Sequence, residues 1–350
     1  MMTPRPFGSL PSGESVEEFT LTNRAGASAS VLTLGGIVTS LRVPDREGRA
    51  SDIVLGFDEL GSYAAGHPYF GAIIGRIAGR VTGGKIWIEG EGYSLACNER
   101  GNHLHGGLRG LDKRIWTAQP LTRASGDASL RLSYRSPDGE EGYPGSVEIR
   151  VIYTLTAKSA LIVETEAMSD RPTPLSLAHH SYFNLAGEGS GDVSGHEVQI
   201  VAEEYVPTDE SLALSDLRES VAGRGADLRS PRILGDALPE LAGAHGDNYL
   251  LRGPGAPQPF GPTLAARVTE RGSGRVLEVY TDESCLQFYT GVMLDGTLVG
   301  KSGRPYGRHA GLCLECHGYP NATSVDTFGD ILVRPESPQR RLTIYAFSTN

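Results

Sequence analysis

Along much of the chain, apolar and polar residues alternate one for one. Val147, Ile149, Val151, Tyr153 and Leu155 alternate with Glu148, Arg150, Thr154 and Thr156, and only Ile152 breaks the polar side. Successive side chains of a strand point to opposite faces, so this pattern predicts a strand with one face buried. Leu161, Val163, Thr165 and Ala167 resume the alternation after a break at 157–160, which predicts the second arm of a hairpin. Ser129–Arg135, Val198–Ala202, Val276–Thr281 and Arg341–Phe347 read as further strands. Near the start Phe19 and Leu21 alternate, and Val31–Leu34 runs into Gly35-Gly36. Turn clusters separate these runs, among them Pro137-Asp138-Gly139, Tyr143-Pro144-Gly145, 187–191, Arg252-Gly253-Pro254-Gly255 and 271–274. No window of about twelve residues carries a convincing 3.6-residue period, and Asp58–Ala65 and Ser215–Val221 read as short helical turns at most. Many short antiparallel strands imply an all-β fold of stacked sheets, a sandwich or a barrel.

Composition sharpens this picture. The 350 residues include 46 glycines and 21 prolines, which suits many tight turns and opposes a bundle of long helices. No repeat, low-complexity tract or charged linker divides the chain, and the proline-rich run from Pro254 to Pro262 reads as a long surface loop. One domain, 1–350, is expected. A net charge of −10 without any basic run opposes binding to a phosphate backbone, so no nucleic-acid partner is expected. No apolar stretch approaches the ~18 residues of a membrane span, and Met1–Gly8 lacks the apolar core of a signal peptide. The four cysteines, Cys97, Cys285, Cys313 and Cys316, are too few and scattered for a disulfide scaffold. Cys313-Leu-Glu-Cys316 has the C-x-x-C form without a second pair or a helical setting, so structural thiols in a reducing, cytoplasmic compartment are expected.

Three clusters carry candidate chemistry. In Asn102-His-Leu-His-Gly-Gly107, a strand would project His103 and His105 from one face, as metal-binding H-x-H pairs do, but no carboxylate follows at ligand spacing. A binding-site histidine and a structural one remain alternatives there. In His179-His180-Ser181-Tyr182-Phe183, two histidines adjoin two aromatics, which fits either a ring-binding platform or a packed strand end. In Leu312-Cys-Leu-Glu-Cys-His317, Glu315 sits inside an apolar strand. Burying a carboxylate is costly unless it is paired or functional, and desolvation raises its pKa toward the range of a general base. The alternative for Glu315 is a structural ion pair with an arginine. The glycine-rich 187–191 lacks the third glycine and the βα setting of a dinucleotide loop, and neither a G-x-S-x-G elbow nor a P-loop occurs.

Taken in order, several segments resemble the aldose 1-epimerase family: Val54-Leu-Gly-Phe57, Phe70-Gly-Ala-Ile-Ile-Gly-Arg-Ile-Ala-Gly-Arg80, Leu104-His-Gly-Gly107, Ser136-Pro-Asp-Gly-Glu-Glu-Gly-Tyr-Pro-Gly145, His180-Ser-Tyr-Phe-Asn-Leu185, Leu286-Gln-Phe-Tyr-Thr-Gly291, Leu294-Asp-Gly296 and Leu314-Glu315. They span about residues 17 to 347. The resemblance implies a large antiparallel β-sandwich, the mutarotase-like supersandwich, with an open carbohydrate cleft, no cofactor and no metal. It implies interconversion of the α and β anomers of free aldoses such as galactose and glucose by a monomer or weak dimer whose partner is a small monosaccharide. By motif, His180 would be the general acid at the ring oxygen, Glu315 the general base at the C1 hydroxyl, and His105 an assistant at the ring oxygen. Arg80, Gln287 and Asp247 would hold sugar hydroxyls. The chain departs from the family at Gly79, where Asn is usual, at Cys316-His317 in place of Thr-Gln, and at Pro320-Asn321 in place of Pro-Asp. In His245-Gly-Asp-Asn-Tyr249 the matching Asp requires a one-residue shift. A hexose-6-phosphate epimerase with Arg304 and Arg308 at a rim loop, a non-catalytic sugar-binding protein, and a metal-dependent isomerase using His103, His105 and Glu315 are the rival readings.

Overall fold

The computed structural model describes residues 2–241, 246–252 and 261–350. Among these, three antiparallel sheets carry the fold. The largest has nine strands in the order Thr117–Thr122, Ala128–Ser136, Val147–Leu155, Ala160–Ser169, Gln339–Thr349, Arg275–Thr281, Thr263–Thr269, Glu197–Ile200 and Arg232–Ile233. The predicted hairpin lies within it, Val147 opposite Ser169 and Leu155 opposite Leu161. Burial alternates from Val147 to Arg150 and then becomes continuous, so Ile152 falls where both faces of the strand are covered.

A five-stranded N-terminal sheet, Arg5–Ser9 to Ala50–Asp52, runs in sequence order. The third sheet orders Glu219–Ser220, Glu204–Val206, Asp247–Leu250, Cys285–Tyr289 and Cys313–His317. All three contribute to one apolar core: Phe19, Val31 and Leu41 from the first, Val151, Leu161 and Val279 from the largest, Leu286, Phe288 and Leu314 from the third. Each such side chain, fully buried, contributes about 1.5–3 kcal/mol. Because Leu286, Phe288, Leu314 and Cys316 take the core face of the third sheet, Gln287 and Glu315 are turned to its other face.

Several expectations change on folding. Asp58–Ala65 yields a helix at Leu60–Ala64, but Ser215–Val221 is not helical. Its backbone is claimed by sheet pairing, with Glu219 opposite Tyr205 and Leu214 bridged to Thr208. A short helix at Leu234–Ala237 had no sequence signal. Cys313 and Cys316 lie three apart on one strand and so project from opposite faces, into different apolar clusters, which removes the redox and zinc readings of the C-x-x-C. Most of the proline-rich run, like the turn expected from Arg252, lies outside the described residues. No helix among the described residues is long and apolar enough to cross a membrane.

Two of the glycine-rich segments meet backbone to backbone. A Cβ on Gly106 would stand 1.7 Å from the carbonyl oxygen of Gly75, and its φ is +92°. Gly106→Ala is therefore expected to cost more than about 3 kcal/mol. Urea unfolding of the variant beside the parent checks it, and a loss under 1 kcal/mol (roughly that of an ordinary surface change) would show that the contact is not needed.

Candidate active site

The non-core face of the third sheet opens into a cleft with a volume of about 280 Å³, near the lower end for small-molecule sites. Its floor is a cross-strand row, with Asn248 opposite Gln287 and Gln287 opposite Glu315. Directly opposed residues share a face, so strand register alone aligns these three side chains.

Glu315 is 2% exposed. Its Oε1 lies 3.5 Å from His180 Nε2, while its buried Oε2 has no hydrogen-bond partner. Desolvation pushes its pKa up to about 8, against the opposing pull of the Arg80 charge. His180 follows the short strand Ala178–His179, which pairs with Ile73–Ile74, and its amide donates to Ala72 O at 2.9 Å. Its ring is stacked with Tyr69 at 5.7 Å and with Tyr182 at 5.2 Å. Burial pushes its pKa down to about 4. The pair therefore holds one proton near neutral pH, because burial opposes charge on either member.

His105 comes from a different direction. The strand His103–Leu104 ends before it, and its own φ of +52° turns the chain. The Gly79 amide donates to His105 Nδ1 at 3.0 Å, which leaves the imidazole proton on Nε2 as a donor. Burial, with the His180 charge in second place, holds His105 well below the usual histidine range and hence neutral. The same turn undoes the H-x-H pair. His103 is fully buried elsewhere, with Nδ1 against Ala96 O at 2.7 Å and Nε2 against the Tyr143 hydroxyl at 2.5 Å.

The segment Ser136–Gly145 acts as a cradle for these elements. Glu141 accepts from the amides of Leu108 and Arg109 at 2.8 and 3.0 Å, holding the loop after His105. The buried guanidinium of Arg76 donates to the carbonyls of Ser136, Pro137, Pro144 and Gly145, tying the Phe70–Arg80 segment to the same cradle.

The structure brings His105, His180, Glu315, Arg80 and Gln287 together along one cleft. Arg80 is gripped by Glu99 through Nε at 2.5 Å and Nη2 at 3.1 Å. Asp247 is buried opposite Phe288 and does not line the cleft; its neighbour Asn248 does. His245, from the same sequence segment, lies outside the described residues. Arg304 and Arg308 are also absent from the lining, and Arg304 instead donates to Gly189 O at 2.9 Å. Tyr69, Glu99 and Asn248 line the cleft without having stood out in the sequence. No local pattern aims any of the three: Asn248 is placed by its cross-strand register with Gln287, and Tyr69 and Glu99 arrive on loops. Donor atoms of His105, His180 and Glu315 lie within 4.8 Å of one another, close enough for a divalent cation as well as for proton transfer.

The aldose 1-epimerase family profile matches residues 17–345. The chain belongs to the aldose 1-epimerase family. It is 44% identical to a galactose mutarotase of Sus scrofa, over 98% of this chain and 97% of that protein. It is 33% identical to an aldose 1-epimerase of Escherichia coli K12, over 96% of each. Among solved structures, an aldose epimerase homologue from C. elegans superposes with a TM-score of 0.86 at 28% identity, covering 95% of this chain and 99% of that one. A galactose 1-epimerase from Lactobacillus acidophilus gives 0.85 at 25% identity, covering 100% and 99%. The fold is thus the large antiparallel sandwich of this family.

The places where the chain departs from the family pattern now have physical settings. Gly79 has φ +81°, and a Cβ there would stand 2.7 Å from Pro320 Cγ. Cys316 faces the core, and His317 is fully buried beside Asn248. Asn321 accepts from the Thr82 amide at 3.0 Å and donates to Asp216 at 2.9 Å, tying two loops rather than lining the cleft.

Since Glu141 sets the loop that carries His105, Glu141→Ala is expected to lower kcat by about 10–100-fold, the range set by small misplacements of a catalytic group. Steady-state rates together with an unfolding midpoint check this; an unchanged kcat in a folded variant would show that the loop holds itself.

Proposed function

We infer that the protein is an isomerase that interconverts the α and β anomers of free aldoses. The observation that carries this reading is the convergence of His105, His180 and Glu315 within 4.8 Å in a small cleft. It is supported by membership in the family and by relatives described as galactose mutarotase and aldose 1-epimerase. Glu315 Oε2, buried and without a partner, takes the proton of the C1 hydroxyl. The pair's single proton, which rests on Glu315 in the free cleft, crosses the 3.5 Å contact to His180 as the sugar binds, and His180 delivers it to the ring oxygen. The C1–O5 bond breaks and an open-chain aldehyde forms, its carbonyl oxygen polarised by the Nε2 proton of His105. Rotation about C1–C2 presents the other carbonyl face. The C5 hydroxyl then attacks C1, returning its proton to His180, while Glu315 returns a proton to O1. The cycle closes with no net gain or loss of protons and no external reactant. Arg80 and Gln287 hold hydroxyls, and each positioned acid or base contributes about 10²–10⁴-fold.

Arg80 is the one Lys or Arg among the described residues lining the cleft, and Glu99 already engages it. That disfavours a phosphorylated sugar. The continuous core supports a single domain, and the four free thiols suit the reducing cytoplasm.

Polarimetry on freshly dissolved α-D-glucose and α-D-galactose is expected to show a faster approach to the same final rotation than in buffer, unchanged by chelator. No acceleration on either sugar would overturn the reading, and loss of rate with chelator would replace the proton-transfer account with a metal-dependent one. Glu315→Gln is expected to lower kcat at least about 100-fold while sugar binding persists; unchanged turnover would remove Glu315 from the chemistry.

The pH profile follows from the proton count. With Glu315 pushed up to about 8 and His180 down to about 4, the one-proton pair exists between those values. Below about 4 His180 takes a second proton and above about 8 the pair loses its only one, so kcat/KM is expected to be bell-shaped with limbs near these values. A profile that is flat from pH 4 to 10 (roughly spanning both ionisations) would dissociate the pair from catalysis.

A further inference from the structure

The cleft floor contains an acceptor whose orientation is dictated from below. His317 Nδ1 lies 2.7 Å from Gly318 O, and a carbonyl only accepts, so Nδ1 carries the imidazole proton. Neutral His317 then offers Nε2 as an acceptor, 3.5 Å from Asn248 Nδ2. Asn248 Nδ2 also donates to Gln287 Oε1 at 3.2 Å. Both partners of the amide nitrogen are acceptors, so the opposite amide orientation would set oxygen against them. Asn248 Oδ1 is therefore the atom left over; it is buried, has no hydrogen-bond partner, and belongs to a side chain that lines the cleft and is 2% exposed. A buried acceptor without a donor is costly, and a ligand hydroxyl is the donor chemistry this cleft would receive.

Resting on the aldose reading above, the geometry points to Asn248 as a specificity-determining residue that accepts a hydrogen bond from one sugar hydroxyl, with His317 as the positioning residue that fixes its amide. Gln287 stands between Asn248 and Glu315 in the row, so Asn248 is about two strand spacings, roughly 10 Å, from the base strand. The hydroxyl it reads is on the side of the ring remote from C1. This role goes to Asn248 and not Asp247, because Asp247 has the parity of core-facing Phe288.

The test is a KM profile over D-glucose, D-galactose and their 2-, 3-, 4- and 6-deoxy analogues. The parent is expected to penalise one remote deoxy sugar by about tenfold or more. Asn248→Ala should raise KM for the full sugar by a similar factor and abolish that one penalty, leaving the other deoxy penalties in place. His317→Leu, which frees the amide to turn, should flatten the same penalty, and His317→Gln, which restores an acceptor, should recover it. A folded Asn248→Ala with the parent's profile overturns the inference, as does a His317→Leu variant that retains the penalty. If Asn248→Ala does not fold, the two His317 variants decide. If the parent does not turn over any of the sugars, the same profile is read as binding by calorimetry. A selective loss in Asn248→Ala then supports the hydroxyl contact without the epimerase reading, and no binding at all overturns both.

Discussion

Everything in the site depends on keeping a carboxylate dry. Glu315 stands on a strand whose alternate residues, Leu314 and Cys316, are sealed in the main core, and on its own face His180, stacked with Tyr69 and Tyr182, lies 3.5 Å from its carboxyl. Burial raises the carboxyl and lowers the imidazole, so neither member prefers to be charged. A group that binds its proton near neutral pH can both take and return it. An exposed carboxylate would remain ionised and serve as a much weaker base.

The surrounding architecture follows from that requirement. A flat sheet face supplies Asn248, Gln287 and Glu315 in register, but a strand cannot place a second layer of groups above itself. His180 and His105 are brought over the sheet by loops, and loops need external support. For His105 that support is Glu141 under the following amides, Gly79 on its Nδ1, and a glycine at 106 that lets the backbone touch Gly75. Residues distant in sequence therefore share responsibility for where His105 stands in the cleft.

The departures from the family pattern divide into two physical kinds. Cys316 and Asn321 are absorbed by packing and loop ties, away from the cleft. Gly79 and His317 border it, one leaving space beside Pro320 and the other orienting an amide on the floor. His105, His180 and Glu315 are untouched by these departures, which fall on the floor and rim of the cleft and in the packing beneath it.

Much of this was legible in the sequence. Period-two alternation from Val147 to Leu155, and again from Leu161 to Ala167, defined the central hairpin because core and solvent impose opposite demands on successive side chains. A lone glutamate among apolar strand residues marked position 315 by the same logic. Local pattern misread Ser215–Val221 and the His103–His105 pair, since sheet pairing and a positive φ at His105 overrode the alternation assumed there. It also pointed to Asp247, whereas strand register puts the neighbouring Asn248 in the cleft lining. Sequence determines which residues favour a strand and which of its faces is apolar, because those are properties of neighbouring side chains. Which polar groups then meet across strands and loops, and how dry they become, is decided only by long-range packing.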